Sequence, residues 1–263
     1  MEKSIYLLLS SVLSILFFSN ATAKNKKSNM EFYEIKVYHF TTTAQEEVLD
    51  KYLSEAYIPA LRKAGIRHIG AFKPLDNDTA ASKRLYILIP LKSMEQLLIL
   101  PQQLQKNIDY ITASKAYSDA PYNAAPYTRM ESILLRAFNL APQSALPELK
   151  SDKNERIYEL RSYESATEKL YWNKVHMFNE GGEIPLFKRL QFNAVFYGEV
   201  IAGSRMPNLM YMTSFENIAD REAHWQKFRD DAEWKQLSAK PEYKNNVSRN
   251  ETILTHPTSY SDY

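Results

Sequence analysis

The sequence predicts an α+β fold, two ferredoxin-like β-α-β-β-α-β units forming an intramolecular pseudo-dimeric α-β barrel. Three observations predict it. The first is a near-copy: Phe-Tyr-Glu-Ile-Lys-Val-Tyr at 32–38 returns about 125 residues later as Arg-Ile-Tyr-Glu-Leu-Arg-Ser-Tyr at 156–163. Tyr33, Glu34, Lys36 and Tyr38 recur as Tyr158, Glu159, Arg161 and Tyr163, a spacing too long for a solenoid repeat and suited to a duplicated domain. The second is that the copies stay in step. Tyr57-Ile58-Pro59-Ala60-Leu61 matches Glu183-Ile184-Pro185-Leu186-Phe187, Ile69–Phe72 matches Phe196–Glu199, and Leu85–Leu91 matches Leu209–Phe215. The third is that each copy reads strand, helix, strand, strand, helix, strand. Such a unit covers one sheet face with helices and must bury the other, and two units in one chain can bury those faces on each other.

Element by element, Phe32–Phe40 alternates as a strand. Thr43 with Glu46 forms a capping box for a helix over 44–63, bent near Pro59, which has no backbone donor, and stopped at Gly65. His68–Leu75 and Arg84–Leu91 are strands around the turn Asp76-Asn77-Asp78. Ser93 caps a short helix that Pro101 interrupts. Tyr117–Thr128, with two prolines, is loop, and Met130–Phe138 is the fourth strand. In the second copy, Arg156–Tyr163 is a strand, followed by a helix over 167–179 that Gly181-Gly182 breaks. Ile184–Leu190 resumes helix before the strands Phe192–Glu199 and Leu209–Phe215. Asn217 caps a helix carrying Arg221, Trp225 and Phe228, a turn around Trp234 follows, and Val247–His256 is the last strand. The polar end to Tyr263 is expected to be loose. The domains are therefore 31–138 and 156–256, with 139–155 as a semi-rigid linker and 1–23 as a signal peptide.

That leader has Lys3, an apolar run Ile5–Phe18 and Ala21-Thr22-Ala23, the small-residue form of a cleavage site. Cleavage after Ala23 would leave an exported chain, periplasmic or secreted, with no stable membrane anchor. The formal charge of +2 gives no strong pull toward nucleic acid. Six glycines make no phosphate-binding pattern. The absence of cysteine excludes disulfides, thiolate nucleophiles and cysteine-held metals. Eighteen tyrosines suit strands and cleft walls.

Candidate chemistry comes from strand faces. Turning Tyr33, Ile35 and Val37 toward the helices sends Glu34, Lys36 and Tyr38 into the space between the sheets, and Glu159, Arg161 and Tyr163 likewise. Buried charges must pair, so these residues either form an ion-pair network across the pseudo-dyad or line a ligand cleft. Arg161 is expected within reach of Glu159 or Glu34. His176, on the helix after Tyr163, is a further candidate for the cleft. The five histidines show no metal-binding spacing. Trp225 and Trp234 read as helix packing. Asp220-Arg221 reads as a first-turn acid followed by a side chain that reaches a neighbouring carboxylate.

The opening Tyr158-Glu159-Leu160-Arg161-x-Tyr163, the Ile184-Pro185-Leu186-Phe187 segment, and Asp220-Arg221 with Trp225 and Asp231-Ala232-Glu233-Trp234 resemble the NIPSNAP family. The resemblance is fuller in the second copy; the first lacks an Asp-Arg pair and a tryptophan after Ser93. It implies a dimeric α-β barrel fold and no agreed reaction. The function expected is therefore binding of a small ligand or partner in the inter-sheet cleft, without a cofactor and with homo-oligomers allowed. The alternative is a cofactor-independent oxygenase or haem-handling enzyme, by analogy of fold.

Overall fold

The computed structural model describes residues 30–263; the predicted leader and its cleavage site lie outside the described residues. The first half runs β1 (Phe32–Phe40), α1 (Thr43–Lys51), a π-helical turn (Tyr52–Tyr57), α2 (Ile58–Lys63), β2 (Gly70–Pro74), β3 (Lys83–Leu91), α3 (Met94–Gln105), α4 (Ile108–Ala113), α5 (Lys115–Ser118) and β4 (Arg129–Ala137). The second runs β5 (Ile157–Glu164), α6 (Glu168–Asn179), α7 (Glu183–Arg189), β6 (Phe196–Ala202), β7 (Asn208–Phe215), α8 (Ile218–Asp230), α9 (Ala232–Ala239) and β8 (Arg249–Pro257). The eight strands close into a barrel in the order β1-β3-β2-β8-β5-β7-β6-β4, every pairing antiparallel. Each half thus contributes the four-strand order of a ferredoxin-like unit. Two short seams join them, Phe72–Pro74 with Thr255–Pro257 and Leu134–Ala137 with Gly198–Ala202.

Local chemistry explains the helix limits. Thr42, not Thr43, caps α1, its side chain accepting from the Gln45 N–H at 3.2 Å. Pro59 follows the π turn, whose wider winding relieves the clash a proline ring makes with the preceding turn. Gly65, at φ +82°, ends the helix in the left-handed region. Pro101 does not interrupt α3, because Leu100 and Leu104 bury against the first half's core and hold the helix through it.

Strand parity is the main correction. Tyr33, Ile35 and Val37 face the barrel interior with Phe72, Leu88, Tyr158, Leu160, Phe196 and Met210. Tyr38 faces the helices instead. Glu34, Lys36, Glu159, Arg161 and Tyr163 lie on that outer, sheet–helix side, not between the sheets. The reason is closure. A barrel interior has no wet edge, so it takes the more apolar face, while the helix layer can supply counter-charges. The 258–263 segment is not loose either. Tyr263 is 2 % exposed and packs on Phe72 and Tyr158 at one end of the barrel. The predicted strand at Phe192 begins only at Phe196; Phe192 is core between helices α7 and α8.

Candidate functional site

The second half holds its polar residues in one place. Glu159 is fully buried on β5, and each carboxylate oxygen receives two donors. Oε1 accepts from Arg161 Nε at 2.5 Å and Arg221 Nη2 at 3.1 Å; Oε2 accepts from Arg221 Nε and Trp225 Nε1, both at 2.7 Å. Alternation along β5 aims Glu159 and Arg161 at helix α8, and Arg221 and Trp225, four apart, share its facing side. Burial alone would raise the Glu159 carboxyl, but the Arg221 hydrogen bonds and the Arg161 charge outweigh it and hold it below the ordinary carboxylate range. The Arg161 guanidinium lies 3.9 Å from the Trp225 ring centroid and donates Nη1 to the Tyr163 hydroxyl at 3.0 Å, which in turn pairs with Tyr211 at 2.9 Å.

Beside this network is a second buried pair. Lys174 Nζ, from α6, donates to Glu183 Oε2 of α7 at 2.7 Å, and both are nearly inaccessible. Burial pushes the Glu183 carboxyl up despite the lysine. Between the two pairs opens a cleft of about 290 Å³. Its floor is Arg161, Lys174 and Glu183; its walls include Tyr211, Phe187, Trp225, Phe228 and Trp234. Arg161, Lys174, Arg221 and Arg229 stand against Glu159, Glu183 and Glu222, the last paired with Arg221 at the exposed edge, so the cleft and its edge together carry one excess positive charge.

The sequence candidates divide by this geometry. Glu159, Arg161 and Tyr163 come together. His176 does not join them: its Nδ1 pairs with Tyr243 at 2.9 Å, outside the cleft. Glu34, Lys36 and Tyr38 form a separate group in the first half. Lys36 pairs with Glu34 at 3.0 Å, and Ser132 donates to Glu34 at 2.7 Å. None of the pairs made by Glu34, Lys36, Glu159 and Arg161 therefore crosses the pseudo-dyad, and Glu34 and Glu159 are each neutralised inside their own half. The space outside Tyr38 is filled by tyrosines: Tyr117 and Tyr127 pack on it, and Tyr52 stacks on Tyr117 with centroids 3.7 Å apart. The carboxylate that Arg221 reaches is Glu159. Lys174, Glu183 and Tyr211 escaped sequence reasoning; Lys174 and Glu183 sit on different helices with no motif to join them. Among the described residues, no histidine lines the cleft.

The network's backbone, β5 with helices α7 and α8, falls within a recognised family segment. Residues 158–262 match the NIPSNAP family. Among curated proteins, none matches the chain significantly. Solved structures of the same fold include a proposed monooxygenase from Lactobacillus acidophilus NCFM, at 12% identity and TM-score 0.55 over 87% of this chain and 94% of that one. Another, from Fusobacterium nucleatum subsp. nucleatum ATCC 25586, shares 10% identity with TM-score 0.52 over 87% and 92%. An anthrone oxidase-like protein shares 9% identity with TM-score 0.51 over 88% and 93%. At such identities these are likenesses of fold alone. They span both halves, the one that matches NIPSNAP and the one that precedes it.

Proposed function

We propose that the sheet–helix cleft of the NIPSNAP domain binds one small amphipathic anion per chain. The carrying observation is an aromatic-walled cleft with Arg161 and Lys174 at its floor and one positive charge in excess once its edge is counted. Cations held there in low dielectric favour a ligand carboxylate, and flat rings on both walls favour a planar body. The equivalent space in the first half is occupied by tyrosine rings, hence one ligand rather than two. The leader motif supports export, so the ligand would be met outside the cytoplasm.

The test uses 2-naphthoate, which offers both features, against 2-naphthalenemethanol, which lacks the charge. Naphthoate should quench Trp225 and Trp234 fluorescence saturably, and Arg161→Met should weaken it by about tenfold or more while leaving the alcohol unchanged. Equal binding of both probes, or no effect of the substitution, would remove the reading. Native mass spectrometry of protein from its own host would then identify the natural ligand.

A second reading is catalytic. Glu183, raised by burial, faces the cleft and is tuned as a general base would be. The monooxygenase-like descriptions of fold neighbours add analogy. Oxygen uptake with a phenolic substrate, abolished in Glu183→Gln, is the measurement that would favour it.

A further inference from the structure

The barrel interior is closed at one end and hollow at the other. Phe72, Tyr158 and Tyr263 pack as a stopper at the first end. At the opposite end a well of about 70 Å³ remains, room for roughly five water-sized groups. Its sides are apolar: Val37, Ile133, Val200, Met210 and Ile253, with Tyr86 beside them. Its rim is charged. Arg84 and Arg205 share the single Glu251 carboxylate, Arg84 at 3.3 Å. His39 pairs with Glu131 at 2.6 Å, with Arg129 3.8 Å from the same carboxylate. Arg84, Arg205 and His39 thus line the mouth opposite Glu131 and Glu251; Arg129 and Arg249 stand outside it, 3.8 Å from Glu131 and 3.9 Å from Glu164, so four guanidiniums meet three carboxylates at this end.

The well is separated from the cleft by the sheet itself. On β5, Arg161 and Tyr163 face the cleft, while Ser162 between them faces the well, held by Asn208 at 2.9 Å. An apolar tube that ends in a rim with surplus guanidinium is matched by a molecule with an apolar tail and one anionic head.

We propose that the barrel mouth is a second binding site, distinct from the cleft, for a short unbranched monocarboxylate. The tail lies along the apolar wall and the head sits at Arg84 and Arg205.

Two methionines report on the two sites. Met210 lines the well, and the Met177 sulfur lies 3.3 Å from Lys174 Nζ at the cleft. With ¹³C-methyl-methionine protein, hexanoate should shift the Met210 resonance saturably and leave Met177 in place. Hexanol, without the head, and acetate, without the tail, should each bind about tenfold more weakly or worse. Ile133→Phe fills the well and should abolish the Met210 shift. If that variant does not fold, Gly203→Val serves, since a Cβ at Gly203 already meets Ile133 and Val200 at 3.4 Å. An unmoved Met210 at about 10 mM hexanoate overturns the proposal. So does a Met177 shift that Arg161→Met removes, which would assign hexanoate to the cleft. Failure of naphthoate in the cleft leaves this result untouched, because the Met210 signal does not depend on it.

Discussion

At the scale of single residues, Glu159 is the group on which the second half's polar structure depends. It answers two guanidiniums and an indole from a fully buried position, so its removal strands three donors at once. Glu159→Ala should cost roughly 3–5 kcal/mol in urea denaturation, the usual result of leaving a buried charge unpaired. Arg161→Ala should cost less, because Arg221 and Trp225 still hold the carboxylate. The pH dependence has a definite sign. The folded-state carboxyl is held below its ordinary 4.5, so its contribution is present above that value and is lost as pH falls below it. Melting temperature in Glu159→Gln should therefore fall less steeply than in the parent below about pH 4.5. Glu183, raised by burial, carries the opposite sign: it favours the folded state at low pH and contributes less as pH rises above its ordinary value. An acid limb unaltered by Glu159→Gln would mean that the network does not hold the carboxylate charged in the folded state.

Among the elements, the segment after β8 does more than its polar composition suggests. The Thr258 N–H reaches the Ala71 carbonyl at 2.9 Å, the Ala71 N–H reaches Ser261 Oγ at 3.0 Å, and the Asp262 carboxylate takes the Ile69 N–H at 2.8 Å. The second half thereby continues along β2 of the first, and Tyr263 is inserted as the stopper of the barrel. Tyr263→Ala should cost roughly 3–5 kcal/mol, the range for deleting a buried aromatic ring. A solvent-facing side chain would stay within about 0.5 kcal/mol. Urea midpoints separate the two. The residues after Pro257 read as tail because Thr, Ser and Asp carry no strand period; their backbone and side-chain partners are about 190 positions away and invisible locally.

For the whole molecule, the two halves share one interior. Tyr33, Ile35 and Val37 from the first meet Phe196, Met210 and Ile253 from the second, and only two short seams close the ring. Separated halves would each expose that apolar face and two unpaired strand edges, a combination that drives association. Residues 24–145 and 150–263 expressed apart should therefore be insoluble or form homodimers, and co-expression should recover a soluble complex, as judged by size-exclusion chromatography. Two monomeric, soluble halves would contradict a shared core.

Much of this was legible in the sequence. Alternation, caps and glycine stops are local, and they place most strands and helices within a few residues. Order along the chain then limits the fold, because a β-α-β-β-α-β unit has one sheet face left to bury. The spacing of Glu159, Arg161 and Tyr163 also puts them on a common face before any tertiary contact is known. Which face that is was decided only by the tertiary structure. A single strand looks the same from either side; closure of the barrel excludes water from its interior and draws the aliphatic set there, while α6, α7 and α8 bring Lys174, Glu183, Arg221 and Trp225 to the charged set. Arg221 and Trp225 come from 62 and 66 residues beyond Glu159, and no local pattern ties these partners together. The strands and the polar triad were set by the chain itself; the cleft exists because packing brings helices to one side of the sheet.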